Sequence, residues 1–261
     1  NDTLNISIMT RKTLIIGNWK MNLTMHEASL YLHKLMEQLP VRRDVEVVVA
    51  PTMLTLQSLS LQIKRRIVKL AAQNCYWRDH GPYTGEVPAA HLHGMVDYVI
   101  IGHSERRHIF MESDKDVRFK VQAALRNRLQ PILCIGETAH ERTLGETREV
   151  LQDQIVNGLA NITAEEIDHV VIAYEPVWAI GSGEYAQPSD LAKVLKVIRQ
   201  QITHLFGKEA AEAIRVVYGG SVSVDNAGDY LAVVGLDGLL IGGASLDAYQ
   251  FTEIVKKAHK E

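Results

Sequence analysis

VVIAYEPVWAIGSG, from Val170 to Gly183, decides how this chain is read. Val170 to Tyr174 is an uninterrupted apolar run, the pattern of a strand covered on both faces. Glu175 follows at once, and Pro176 then removes a backbone donor and stops the strand. An acid at the carboxyl end of a buried strand stands where α/β folds hold ligands. Beyond it, Trp178, Ala179 and Ile180 are apolar and Gly181-Ser182-Gly183 are flexible. Apolar side chains in a loop are costly unless the loop closes over something. The segment Pro176, Val177, Trp178, Ala179, Ile180, Gly181, Ser182, Gly183, Glu184, Tyr185, Ala186 therefore reads as a lid. A buried glutamate in an ion pair beside an ordinary loop fits the same residues, so the rest of the chain must decide.

Working outward, the pattern repeats. Apolar runs at Thr13 to Trp19, Val45 to Ala50, Val68 to Ala72, Tyr98 to Ile101, Pro131 to Ile135, Ile214 to Tyr218 and Leu236 to Ile241 complete a set of eight strands with the run before Glu175. Between them, helical periodicity covers about Met25 to Leu39 (ended by Pro40), Thr52 to Lys64, Asp114 to Arg128, Leu144 to Leu159, Pro188 to Phe206 and Leu246 to Lys260. Strand and helix alternate at intervals suited to right-handed crossovers. The expectation is an α/β fold, an eight-stranded parallel (β/α)8 barrel. At 261 residues the chain matches the ~250 such a barrel needs, so residues 1–261 read as one domain, with 1–8 a leader or remnant ahead of Met9. A doubly wound open sheet is the rival, because sequence does not show closure.

Composition narrows the function. With 46% hydrophobic and 23% charged residues the chain can fill a core, and a net charge of −3 argues against nucleic acid or an anionic membrane surface as partner. No stretch approaches the ~20 apolar residues of a membrane span. Cys75 and Cys134, far apart and in apolar surroundings, read as free buried thiols in a reducing compartment, hence a cytoplasmic location. The histidines and acids show no zinc-type spacing, so no metal is expected.

In a barrel the active face gathers what lies just after each strand. That rule collects Asn18 and Lys20, His103, Glu175, Ser221, and Gly242-Gly243. The turns Gly219-Gly220-Ser221 and Gly242-Gly243 both read as leading into helices, where free N–H groups favour a phosphate. A base with nearby cationic or N–H donors suits moving a proton between adjacent carbons. Alone, Lys20 fits a surface charge and His103 a satisfied polar residue; together with Glu175 they point to catalysis.

The motifs IIGNWKMN, YVIIGHSERR, PILCIGE, AYEPVWAIGSG, VVYGGSV and LLIGGASL resemble the triosephosphate isomerase family, in its order and at barrel spacing, from Thr13 onward. The resemblance implies a TIM barrel that interconverts dihydroxyacetone phosphate and D-glyceraldehyde 3-phosphate through an enediolate, without cofactor. It implies Glu175 as base, His103 and Lys20 as electrophiles, Asn18 beside the substrate, and Glu105 as support for Lys20. It places the phosphate on backbone N–H groups at Gly181, Ser221 and Gly243, with Gly242 shaping the pocket. Thr84, in GPYTGEVP, matches a loop that reaches into a partner, which implies a homodimer. Glu184 departs from the family pattern where many members carry lysine, and Tyr185 replaces a smaller residue; both bear on lid kinetics. Two other readings compete: a Schiff-base aldolase using Lys20, and a barrel that only binds.

Overall fold

A computed structural model describes residues 11–39, 43–181 and 184–259. Its eight strands are β1 (Thr13–Asn18), β2 (Val45–Ala50), β3 (Lys69–Ala72), β4 (Tyr98–Ile101), β5 (Gln130–Ile135), β6 (Val171–Tyr174), β7 (Arg215–Tyr218) and β8 (Gly238–Ile241). Each pairs in parallel with the next, and β1 pairs with β8 from Leu14↔Gly238 to Gly17↔Ile241. The sheet is a closed barrel, which removes the open-sheet alternative.

The strands are apolar on both faces because both faces are covered. Leu14, Ile16, Val48, Ala50, Ala71, Ile100, Ile132, Ala173, Val217 and Leu240 pack inside the barrel. Their neighbours Ile15, Val47, Val49, Leu70, Val99, Leu133, Ile172 and Val216 pack outward against the helices. Alternation with a period of two thus fills two cores from one run of sequence. The helix Met25–Gln38 shows the matching logic at a period of 3.6: Ala28, Tyr31, Leu32 and Leu35 are its buried residues. Thr24 and Glu27 close its first turn as a capping box, and Leu32 and Leu35 are fully buried, each contributing roughly 1.5–3 kcal/mol.

Several boundaries differ from the expectation. The helix expected over Leu144 to Leu159 runs over Thr147–Gly158, and a separate short helix, Ala139–Leu144, stands before it. This short helix is started by a Thr138/Glu141 capping box and ended by Gly145 in the left-handed region at φ 79°. The helix expected to reach Lys64 runs only over Met53–Ser60, and short helices at Ala89–Leu92 and Lys208–Ala213 carry no periodicity long enough to read. The last helix is Ala248–Lys257, preceded by a 3-10 turn at Gly243–Leu246. No helix starts at Ser221; the next begins at Ala227, because Ser223 and Asn226 bond each other and hold the chain in a turn. Pro40, Ser182, Gly183, Lys260 and the segment 1–8 lie outside the described residues.

Cys75 and Cys134 are buried and free. Burial pushes the Cys75 thiol up to about 12. Among the described residues no helix is long and apolar enough to cross a membrane.

Candidate active site

Glu175 leaves β6 at the carboxyl mouth of the barrel, its N–H donating to the Ile135 carbonyl at 2.7 Å. Its side chain is 2% exposed. Such a carboxylate needs donors, since a buried unpaired charge is expensive. Oε2 accepts from the Ser104 N–H at 3.0 Å, and Oε1 lies 3.2 Å from His103 Nε2. Gly219 makes room on the other side: a Cβ there would stand 2.9 Å from the Glu175 Cγ. Beneath it, burial and then the Glu175 charge push the Cys134 thiol far above its ordinary value.

His103 caps the short helix Ser104–His108 at the end of β4. Its Nδ1 accepts the Glu105 N–H at 3.2 Å. A backbone N–H can only donate, so the ring proton of a neutral His103 sits on Nε2, which faces Glu175 and the cleft. Lys20 follows β1 and sits at φ 51°, the left-handed region, which costs a side-chain-bearing residue roughly 1–2 kcal/mol. Neighbours hold it there: the Asn18 Oδ1 accepts the Lys20 N–H at 3.1 Å, and Gln73 Nε2 donates to the Lys20 carbonyl at 2.8 Å. The Lys20 ammonium meets Glu105 Oε1 at 2.7 Å, the partnership expected of Glu105. Arg106 and Arg107 form ion pairs with Glu112 and Asp114, each at 2.6 Å.

Asn18, Lys20, His103, Glu105 and Glu175 line one side of a cleft of about 560 Å3. Ile180, Gly181, Ser221, Gly242 and Gly243 line the other. The structure thus brings Asn18, Lys20, His103, Glu105, Glu175, Gly181, Ser221, Gly242 and Gly243 to one cavity. Of the other described residues expected to form the lid only Ile180 lines it; Pro176, Val177, Trp178, Ala179, Glu184, Tyr185 and Ala186 do not, and Thr84 is exposed on its own loop. Among the described residues the N–H groups of Gly181, Ser221 and Gly243 donate to no protein acceptor.

The segment expected to form a lid is tied at both ends. Trp178 Nε1 donates to Glu137 Oε1 at 2.9 Å, and the Arg142 guanidinium lies 4.2 Å over the indole. At the far end the Ala186 N–H meets the Tyr218 hydroxyl at 3.4 Å, and the Tyr230 hydroxyl donates to the Ala186 carbonyl at 2.8 Å. Trp178 and Ile180 are both half-buried, Trp178 against these anchors and Ile180 on the wall of the cleft.

Sequence reasoning missed Gln73, Glu137 and Asn226. Glu137 is fully buried and also accepts from the Tyr174 hydroxyl at 3.1 Å. Gln73 and Glu137 stand just past β3 and β5, so the rule that collected Asn18 and His103 would have found both if applied to every strand. Asn226 lies five residues beyond Ser221 and carries no such signal.

Known proteins resemble this chain over most of its length. The family profile described as Triosephosphate isomerase matches residues 13–258. The chain is similar to Triosephosphate isomerase of Streptococcus mutans serotype c, 42% identical over 248 residues, 95% of this chain and 98% of that one. It is 45% identical to that of Chloroherpeton thalassium over 250 residues, 95% of this chain and 99% of the relative. The Caldanaerobacter subterraneus subsp. tengcongensis protein is 46% identical over 249 residues, 94% and 99% of the two chains.

Proposed function

We infer that this chain, which belongs to the triosephosphate isomerase family and interconverts dihydroxyacetone phosphate and glyceraldehyde 3-phosphate, does so with Glu175 as its single proton carrier. The observation that supports this is the convergence of one buried carboxylate, one imidazole Nε2 and one ammonium on the same cleft. Glu175 takes a proton from the hydroxymethyl carbon of the ketone. The electron pair of that C–H bond forms the carbon–carbon double bond, and the carbonyl electrons move onto oxygen, giving the enediolate. Donors aimed where that charge develops lower the barrier. His103 through Nε2–H and Lys20 through its ammonium are those donors, and Asn18 holds the Lys20 backbone in place. Glu175 then returns its proton to the neighbouring carbon while the hydroxyl proton passes from the first oxygen to the charged second one, which leaves the aldehyde and its neighbouring hydroxyl, with no electron or group left over for a cofactor to carry.

Glu175 meets the Ser104 N–H here, so it must swing to reach a substrate carbon. Pro176 follows it directly, which makes lid closure and arrival of the base one movement. The substrate phosphate rests on the N–H groups of Gly181, Ser221 and Gly243, with Gly242 keeping the wall low. The cleft and the barrel that carries it form one domain, read over the whole chain. An enediolate with a phosphate one carbon away can expel it when water reaches the site. Deleting residues 180–183 should therefore divert the intermediate from isomerised product to free inorganic phosphate while proton exchange with solvent persists. Phosphate release no greater than in the intact enzyme would remove the lid from this role.

A second groove of about 400 Å3 adjoins the site, lined by Asn18, Lys20, Met21, Gln73, Glu105 and Phe110 among others. Met21 is 93% exposed beside it, and Ile109, Phe110 and Met111 are exposed as well. So large an apolar rim suits burial by a second copy of this chain. The exposed loop around Thr84 is the element that fills the groove in a homodimer. Replacing Thr84 and its neighbours by charged residues should give monomers of low activity; a fully active monomer in sedimentation would end the dimer requirement. Two buried free thiols, Cys75 and Cys134, suit a cytoplasmic enzyme.

A further inference from the structure

Between Ser221 and the helix Ala227–Leu231 the chain makes a turn whose hydrogen bonds converge on one side chain, Asn226. Its Oδ1 accepts the Ser223 N–H at 2.8 Å, and its own N–H meets the Ser223 Oγ at 3.4 Å. A backbone N–H requires an acceptor, so the orientation of the amide is fixed, and Nδ2 must point the other way. There it donates to the Ser221 carbonyl at 3.2 Å. Upstream the chain is Gly219-Gly220, two residues with no side chain to fix their peptides. Ser221 is thus held from its downstream side by Asn226, and it lines the cleft.

We propose that Asn226 is a positioning residue for substrate phosphate: by clamping the Ser221 carbonyl it fixes the peptide that follows Ser221 and so limits the swing of the residue whose N–H receives the phosphate. This rests on the reading of the cleft as a triose phosphate site. Asn226 does two separable jobs. Accepting from Ser223 caps the turn and stabilises the fold, whereas donating to Ser221 limits that swing. A serine at the same position can accept from Ser223 but is too short and wrongly built to donate to the Ser221 carbonyl.

The test compares Asn226→Ala and Asn226→Ser with the parent by thermal melting, by steady-state kinetics, and by titration with inorganic phosphate followed by calorimetry. Losing one ordering hydrogen bond should raise KM and the phosphate Kd about tenfold in both variants, with kcat held within about twofold. The alanine variant should also melt earlier, and the serine variant should recover much of the melting temperature without recovering phosphate affinity. If serine restores both, or if alanine binds phosphate like the parent, Asn226 is only a turn cap and the proposal falls. A parent that binds inorganic phosphate but does not isomerise triose phosphates would overturn the isomerase reading and leave this one standing. A parent that binds no phosphate would overturn both.

Discussion

Two lysine–glutamate pairs of the same length, 2.7 Å, stand at opposite ends of this barrel: Lys69 with Glu46 at the amino mouth, Lys20 with Glu105 at the carboxyl mouth. At the amino end the pair belongs to a closed network. Arg215 reaches Glu46 at 3.2 Å, Tyr98 at 2.7 Å and Gln130 at 3.1 Å, and the Tyr98 hydroxyl also bonds Glu46. Burial pushes the Glu46 carboxyl up, but the bonds from Lys69 and Tyr98 and the nearby charges of Lys69 and Arg215 outweigh it and bring it down to about 2. At the carboxyl end Glu105 is 39% exposed against 13% for Glu46, and Lys20 lines the open cleft. The same bond therefore serves two ends: where its neighbours close the network it stabilises the fold, and where they leave a cavity it aims a charge.

The sharpest way to break this comparison is to neutralise Glu175, the proposed base. Glu175→Gln keeps the shape and removes the proton acceptor, and kcat should fall about 10³- to 10⁴-fold with little change in melting temperature. Glu175→Asp, which retracts the charge by one methylene, should cost on the order of 10²-fold. An unchanged rate constant in either would move the base elsewhere.

Next comes Glu46→Gln, which should act in the opposite sense. Glu46 has its carboxyl lowered from 4.5 to about 2, so its contribution is complete above pH 4.5 and is lost as pH falls toward 2. The substitution should remove on the order of 3 kcal/mol of stability at pH 7 and leave kcat within about twofold. Chemical denaturation from pH 7 to pH 2 would show it, as a variant whose stability falls less steeply across that window than the parent's. A large loss of kcat would mean that the two ends of the barrel are coupled.

Glu105→Gln probes the matching pair. An ion pair this exposed contributes about 0–1 kcal/mol, so stability should hardly move, while a Lys20 ammonium no longer held in place should lower kcat about tenfold. Equal losses of stability and rate would make the two pairs alike. The smallest effect belongs to Glu184→Lys at the far end of the lid. It should alter closing and product release by about threefold or less, and viscosity dependence of kcat would report it.

The strands, their order and the residues after them were legible because a buried parallel strand has to be apolar on both faces, and a polar residue at its end then stands out. Asn18, Lys20, His103, Glu175 and Ser221 were found that way. The helix break at Gly145 was not, since one glycine in a periodic stretch is weak against its neighbours; only the Thr138/Glu141 cap and the φ of 79° make it a boundary. The amino-end network was also hidden: Glu46, Lys69 and Arg215 lie inside runs that are otherwise apolar, and only the barrel brings these charges to one another.

By itself, then, the order of residues determined eight apolar strands, the acid after the sixth and the glycine turns after the last two, because periodicity and chain direction are local properties. Tertiary structure decided what depends on distance between remote segments. Closure of β1 on β8 is one such fact. The pairing of β4 and β6 with the two edges of β5, which leaves His103 Nε2 3.2 Å from Glu175 across 72 positions of chain, is a second. The division between the two lysine–glutamate pairs is another. Sequence places Lys20 after a strand and Lys69 at the start of one, but each partner is remote in the chain, and only the groups that surround each ammonium make one a fixed part of the fold and the other a charge presented to a cleft.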